Sequence, residues 1–254
     1  MENVAAPSAY QAEGRLSSGI IPNHLLASDM IAGFFYLAAS QQPGYDTVVI
    51  LSPSHYPQQC TSGVVTAQNG WDTPFGTVEA DEDFAALLLR DSLAGAVNDP
   101  AAPERDHGVA GLVPFVKYYL PEAEIAVCLL ENGLDADRLA AVGKILDEFR
   151  DTKRVLVVGS ADFSHYLQPE EAARCDAETE KAITNGDLDT ISRYTDRNVD
   201  SPQVITLVLQ GAETHGGQTV QLDHSSSVEK LPHSLGNAIY SEGVTTYFVY
   251  AFVQ

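Results

Sequence analysis

The sequence has little cysteine and little positive charge. Its three cysteines lack the CxxC spacing of zinc or redox motifs, and an odd number cannot form a closed disulfide framework: Cys60, Cys128 and Cys175. Fourteen lysines and arginines face 35 aspartates and glutamates, which gives a formal net charge of -21. Such a charge repels phosphate backbones and anionic lipid headgroups. We therefore expect no nucleic-acid partner.

Long apolar runs and phosphate-binding motifs are also missing. No segment contains the roughly 18 consecutive apolar residues of a membrane span, so we expect none. Neither a G-x-G-x-x-G nor a G-x-x-x-x-G-K-[ST] run occurs, which argues against dinucleotide or P-loop binding. The first residues lack the basic flank and apolar core of a signal peptide. We expect a soluble protein, cytoplasmic unless an export signal was removed.

The apolar residues that are present predict a layered α/β fold. Short, β-branched segments bounded by turn or polar residues are typical of buried strands, and they occur at residues 18–24, 47–55, 124–130 and 154–165. Helical periodicity lies between and after them, near residues 28–38, 81–91, 109–119, 137–149 and 170–184. This alternation predicts an α/β/α domain with helices on both faces of a mostly parallel sheet.

Two regions interrupt the alternation and predict that the sheet is mixed. Residues 61–78 combine β-branched residues with Asn-Gly and Pro-Phe-Gly turns, which favours an antiparallel excursion. Two further strands are predicted near the C-terminus, at residues 219–227 and 245–253. No linker or repeat marks a boundary, so we expect residues 1–254 to form one domain, with about the first 15 residues as a flexible arm.

Three of the seven histidines follow predicted strands. His24, His55 and His165 each come after an apolar segment and a few Pro, Ser, Asn or Asp residues. The carboxyl ends of parallel strands point to one edge of a sheet, and ligands of open α/β sheets bind in the crevice beyond that edge. We therefore expect the three imidazoles to meet in one crevice. Such a group suits metal binding or acid–base chemistry, because imidazole is a common metal ligand and titrates near neutral pH.

Two further residues are candidates for the same crevice. Asp162 precedes His165 by three residues, and a carboxylate there could orient an imidazole, accept a proton or hold a metal-bound water. Its alternative role is a helix N-cap or an Asx-turn. His107 lies just before a predicted helix and is placed to join the crevice. The remaining histidines have polar, turn-rich surroundings typical of solvated positions: His215, His224 and His233.

A set of motifs resembles one protein family. The motifs are, in order, IIPNH (20–24), SPSHY (52–56), WDTPFG (71–76), DHGVAGLVPF (106–115) and SADFSHY (160–166). Over residues 19–252 this order and spacing resemble the Memo-like family, also called AmmeMemoRadiSam system protein B. The resemblance implies a fold shared with class III extradiol dioxygenases, in which two histidines and a third ligand hold a non-haem metal. It also implies an association with a radical-SAM protein as one hypothesis for a partner.

The resemblance implies a divalent metal cofactor and assigns roles by motif position. The two histidine ligands of the family correspond to His24 and His55. The Asp and His that line its metal pocket correspond to Asp162 and His165. Iron is the first expectation for the metal, with copper and zinc as alternatives.

The third ligand stays open because the sequence departs from the family here. Many members carry a Cys-Gly pair before a Pro-led helix, whereas this sequence reads RNVDSPQVI (197–205). Asp200 is the nearest substitute, with Asn198 and water as alternatives. With Asp200 the set would be the two-His-one-carboxylate arrangement typical of non-haem Fe(II) sites. Alternatively, Asp200 only caps the helix that begins at Pro202, a role for which Ser201 competes.

Three functions fit these residues. The first is a Memo-like metal-binding protein acting as a metal-dependent oxidoreductase or hydrolase, with His107, Asp162 and His165 in the catalytic pocket. The second is a non-catalytic module that binds a small molecule or peptide in the same crevice. The third is an extradiol-type ring-cleaving dioxygenase. The block around His107 has Ala110 and Leu112 where the family usually has polar residues, which weakens the expectation of family chemistry.

Overall fold

A computed structural model describes residues 8–56, 60, 62–231 and 243–254, in which strands and helices alternate. The strands are β1 (Leu16–Ile21), β2 (Thr47–Pro53), β3 (Val64–Thr66), β4 (Trp71–Thr73), β5 (Gly76–Val78), β6 (Val97–Asn98), β7 (Glu124–Leu130), β8 (Val155–Ser160), β9 (Gln218–Ser226) and β10 (Thr246–Val253). The helices are α1 (Ser28–Ala39), α2 (Glu82–Arg90), α3 (Ala101–Arg105), α4 (His107–Ala110), α5 (Val113–Tyr119), α6 (Ala136–Arg150), α7 (Pro169–Thr184), α8 (Leu188–Ile191), α9 (Pro202–Thr214) and α10 (Ser227–Lys230), with a 3-10 helix at Leu25–Ala27. His233 lies outside the described residues.

The main sheet is mixed and has a parallel centre, which confirms the predicted fold class. Its eight strands have the order β6-β3-β7-β2-β8-β1-β10-β9. The neighbouring strands β7, β2, β8 and β1 are parallel to one another, and β10 and β9 continue the sheet antiparallel. Because β2, β8 and β1 are adjacent and parallel, their carboxyl ends lie side by side at one edge of the sheet.

Successive residues of the central strands face opposite layers of helices. In β2, Val48 and Ile50 pack in the apolar cluster that includes α1 and α5. Val49 and Leu51 pack in the other cluster, which includes α6 and α9. The period of two follows from the alternation of side chains along a strand. With helices on both faces, the central strands are buried along their whole length, which explains their continuous apolar sequence.

Some predicted elements differ from the structure in detail. The helix predicted over residues 109–119 is two helices, α4 and α5, and Pro114 lies in the first turn of the second. Proline is tolerated there because the first turn does not use its missing N–H. The excursion over residues 61–78 contains the antiparallel hairpin β4–β5, as predicted.

Residues 8–15 lie against the body of the fold. The Tyr10 hydroxyl donates to Asp223 of β9 at 2.6 Å, and the Ser8 amide donates to the Asp29 carbonyl of α1. Along the described ranges, we find no helix with the length and apolar character needed to cross a bilayer.

Candidate metal centre

The parallel strands deliver histidines to one edge of the sheet. His24 follows β1, His55 follows β2 and His165 follows β8, each within a few residues of the strand end. The three strands are neighbours in the order β2-β8-β1. The crevice at this edge therefore collects side chains from distant parts of the chain.

A buried carboxylate fixes the orientation of His55. Asp106 Oδ1 accepts a hydrogen bond at 2.7 Å from the ring Nδ1, and Asp106 Oδ2 accepts one at 2.8 Å from the His55 backbone amide. The Gly108 amide donates to the same Asp106 Oδ1 at 3.0 Å, so both carboxylate oxygens are in use. With Nδ1 engaged, the free nitrogen of His55 is Nε2, which is how outer carboxylates orient ligand histidines in metal sites.

Asp200 lies opposite the free nitrogen of His55. Its Oδ2 is 3.7 Å from His55 Nε2, beyond hydrogen-bonding distance. Bonds of about 2.1 Å from one cation to each atom would span such a gap. In the part of the chain that the structure describes, the buried Asp200 Oδ1 has no hydrogen-bond partner. One Asp200 oxygen therefore faces His55 Nε2 and the other has no partner, an arrangement that fits a bound cation, because a cation would compensate the buried carboxylate.

The Asp200 carboxylate does not cap α9. Ser201 takes that role, because its side chain accepts from the Val204 amide. Asp200 Oδ2 instead accepts from the Asn23 side-chain amide at 3.1 Å and from the Asp162 backbone amide at 3.0 Å. Asn132 donates to the Asp200 backbone carbonyl at 2.8 Å. The carboxylate is thus held toward the strand ends.

Asn198 points to a different part of the fold. Its side-chain amide donates to Thr179 Oγ1 at 3.1 Å and to the Cys175 carbonyl at 3.5 Å, both on α7. Of the two side chains that the sequence offered as a third ligand, the structure brings Asp200 and not Asn198 next to His55.

His24 is anchored by a tyrosine of β10. Its Nδ1 lies 2.7 Å from the hydroxyl of the buried Tyr247, which leaves Nε2 free at the exposed side of the crevice. Partial burial lowers the pKa of His24, and the charge of His165 lowers it further. Both effects favour the neutral imidazole, which is the form that binds a metal.

Asp162 is a buried acid that accepts from the loop carrying His24. Its Oδ1 accepts from the Asn23 amide at 3.0 Å, which fixes the turn between β1 and His24. Burial raises the pKa of Asp162, and the nearby negative charge of Asp200 raises it further. The Asp162 carboxyl group therefore holds a proton near neutral pH and can act as an acid or a base.

His165 lies in the same loop as Asp162. Its buried Nδ1 has no hydrogen-bond partner among the described residues.

His107 completes the crevice on the side of α4. Its ring centroid is 3.8 Å from that of His55, with 37° between the planes. The ligand atoms of His55, Asp106 and His107 lie within 4.8 Å of one another, a cluster that could hold a metal ion. Burial and the charge of His55 lower the pKa of His107.

Sequence reasoning missed the residues that orient the histidines. Asn23 and Asp106 each precede a histidine directly, and that adjacency was the only available signal. Tyr247 lies within an apolar strand and gave none. His224, expected to be a solvated surface residue, is exposed on β9, where it also stacks on Phe248 at 4.0 Å and lies 2.9 Å from Asp176.

Gly108 leaves the space that His55 occupies, so we expect Gly108→Ala to displace the imidazole. A Cβ at this position would lie 2.2 Å from Ser52 Oγ and 3.0 Å from His55 Cε1. We expect about a tenfold loss of metal affinity. This is the low end of the losses seen when residues that orient metal ligands are mutated. Competition with a metal-binding dye would measure it. Gly44→Ala is the control: an added Cβ there meets open space, so metal affinity should be unchanged. Gly133→Ala is not suitable, because the φ of Gly133 is +86°.

Comparison with known proteins identifies a family and several relatives of this chain. The model of the Memo family, described as Memo-like protein, matches residues 8–236. A MEMO1 family protein of Caldivirga maquilingensis is 30% identical over 163 residues, which is 63% of this chain and 56% of the relative. One from Methanococcoides burtonii is 29% identical over 192 residues, covering 73% of this chain and 70% of the relative. The chain thus spans little more than half the length of some of the curated relatives it matches.

A solved structure shares the fold. Uncharacterized protein JW3007 from Escherichia coli K12 aligns with a TM-score of 0.55, covering 93% of this chain and 99% of that chain. At 15% sequence identity, this likeness concerns the fold alone.

Proposed function

The chain belongs to the Memo-like protein family, and from that membership together with the crevice geometry we propose that it binds one divalent metal ion through His24, His55 and Asp200. One observation carries the proposal: the free His55 Nε2 and Asp200 Oδ2 face each other at 3.7 Å without a hydrogen bond. The orphaned Asp200 Oδ1 supports it, since a cation would compensate the buried carboxylate.

The residues around the proposed ligands have separate roles. Asp106 orients His55, and Tyr247 orients His24 by accepting its Nδ1–H, which presents the Nε2 lone pair to the ion. Asp162 and His165 stand beside the open side of the site as groups that hold or move a proton. His107, close to His55, is the third such group.

The donor set indicates the class of ion. Two imidazoles and one carboxylate are typical of non-haem Fe(II) sites, so iron is the first candidate, with copper and zinc as alternatives. When bound, such an ion supplies Lewis-acid chemistry and lowers the pKa of a coordinated water. A metal-dependent oxidoreductase or hydrolase is the class of enzyme that this arrangement supports.

The partner in the crevice is a small molecule or a peptide. His24 and His107 are exposed at its mouth, so a ligand can reach the proposed ion from solvent. Association with a radical-SAM protein is a second hypothesis, which rests on family resemblance alone.

Direct metal measurement tests the proposal. Protein stripped of metal and then titrated anaerobically with Fe(II), and separately with Zn(II) and Cu(II), should bind about one ion per chain with at least one of them. Anomalous scattering from crystals of the loaded protein should place that ion between His55 and Asp200. No binding by any of the three ions, or an ion located elsewhere, would contradict the proposal.

A further inference from the structure

A second polar pocket lies at the opposite end of the parallel strands. It is next to the first residues of β1 and β8, whereas the candidate metal centre is next to their last residues. The pocket has a volume of about 210 Å³. Its basic lining residues are Arg15, Arg150, Lys153, Arg154 and His215. No aspartate or glutamate of the described chain belongs to the lining, which is unusual on a protein with a net charge of -21.

Three of these basic groups have carboxylate partners that fix them in place. Arg154 pairs with Asp46 through Nε and Nη2. Lys153 Nζ lies 2.7 Å from Asp81 and 3.0 Å from Asp83, and His215 Nε2 lies 3.2 Å from Asp147. The charges of Arg154 and Lys153 are largely compensated, so these two side chains form a wall of the pocket and contribute little free positive charge.

Arg15 and Arg150 have no such partner. Arg15 donates to the Pro43 carbonyl at 2.8 Å and lies over the Tyr45 ring at 4.9 Å, contacts that hold its guanidinium without neutralising it. Within the described ranges, Arg150 makes no hydrogen bond and no ion pair, although Asp147 and Asp151 act on it at longer range. Burial lowers the pKa of Arg150 more than these two carboxylates raise it.

A half-buried guanidinium without acceptors points to a ligand. Its N–H donors are partly withdrawn from water and have no protein acceptor among the described residues, so an anion that accepts from them would be favoured. Guanidinium groups bind phosphate and carboxylate oxygens through paired, charge-assisted hydrogen bonds. Two uncompensated arginines in one pocket match the charge of a dianion more closely than that of a monoanion.

We propose that this pocket binds a small phosphate-class dianion, either free phosphate or the phosphate group of a small monoester, between Arg15 and Arg150. The polar residues Ser17 and Gln254 also line the pocket. This site is separate from the proposed metal centre and does not depend on it.

Calorimetric titration of metal-free protein with inorganic phosphate tests the proposal. Metal must be absent because phosphate also binds metal ions, and the buffer should contain only chloride at constant ionic strength. We expect saturable binding to the unmodified chain, a loss of affinity of about tenfold or more in Arg15→Gln and in Arg150→Gln, and no detectable binding in the double variant. A small phosphate monoester in a second arm shows whether the pocket accepts a substituent.

Matched variants keep the test decisive. Arg90→Gln removes an exposed arginine of α2 whose one hydrogen bond among the described residues is to a carbonyl of its own helix, and it should not change phosphate affinity. Arg150→Lys keeps the charge without the planar fork, so it should bind more weakly than the unmodified chain while keeping the same melting temperature. Absence of phosphate binding to the unmodified chain, or an equal loss in Arg90→Gln, would overturn the proposal.

Discussion

Asp200→Asn should lower the affinity for a divalent ion by more than about a hundredfold while leaving the fold intact. Asparagine keeps the shape of the side chain and an oxygen that can accept from Asn23 and the Asp162 amide, the two contacts that hold Asp200. What disappears is the negative charge opposite His55 Nε2. Mutation of residues that hydrogen-bond to metal ligands typically lowers metal affinity about 10–100-fold. Loss of a charged ligand itself should exceed that range.

The same substitution should not destabilise the metal-free protein. Asp162 and Asp200 are both buried, and the charge of Asp200 raises the pKa of Asp162. Asparagine removes the buried Asp200 charge, whose Oδ1 has no hydrogen-bond partner among the described residues, so we expect an equal or higher melting temperature without metal. Competition with a chromogenic chelator measures the affinity, and thermal unfolding in the presence of that chelator measures the stability.

Two controls distinguish the third ligand from its alternatives. Asn198→Ala removes the other side-chain candidate for the third ligand, and His215→Ala removes a histidine far from the crevice; neither should change metal affinity. If Asn198→Ala abolished binding and Asp200→Asn did not, the assignment of the third ligand to Asp200 would be wrong. If neither Asn198→Ala nor Asp200→Asn changed metal binding, water would be the remaining candidate for the third ligand.

The residues of the crevice were predictable where the signal was local. His24, His55 and His165 each follow an apolar strand within a few residues, and the rule for parallel strand ends then places them at one edge. The order of the strands is not local information. It is the adjacency of β2, β8 and β1 in the sheet that brings the three loops together.

The groups that orient these histidines were not predictable because their partners are distant in sequence. Asp106 is 51 positions from His55, and Tyr247 is 223 positions from His24. The sequence could not decide between Asp200 and Asn198 as the third ligand for a similar reason. Both precede the same helix, and only the backbone path decides that one faces His55 and the other faces α7.

Asp176→Ala should lower the free energy of unfolding by about 3–5 kcal/mol, since two buried hydroxyl donors lose their acceptor at a cost of about 1–3 kcal/mol each. Asp176 is a buried residue of α7, and its carboxylate accepts from Ser164 Oγ at 2.7 Å, Thr246 Oγ1 at 2.8 Å and His224 Nε2 at 2.9 Å. Alanine would leave all three donors without their acceptor. For a chain of this size the melting temperature should fall by roughly 6–20 °C.

The loss should depend on pH because His224 titrates. Burial alone would lower the pKa of His224, but the hydrogen bond to Asp176, together with the charges of Asp176, Glu229 and Glu180, raises it overall. A raised pKa in the folded protein means that this contribution is fully present below the unfolded value of about 6.5 and is lost as the pH rises through the folded value. Asp176→Ala should therefore cost most in mildly acidic solution and less above the folded pKa of His224.

Glu178→Ala provides the matched control for Asp176→Ala. Glu178 is an exposed acid of the same helix, and among the described residues its side chain makes no hydrogen bond, so its loss should change stability by less than about 0.5 kcal/mol at any pH. Chemical denaturation of both variants at two pH values makes the comparison. Because Ser164 lies between Asp162 and His165, a large loss specific to Asp176 would show that α7 holds the loop of the crevice in place; equal stability of the two variants would show that it does not.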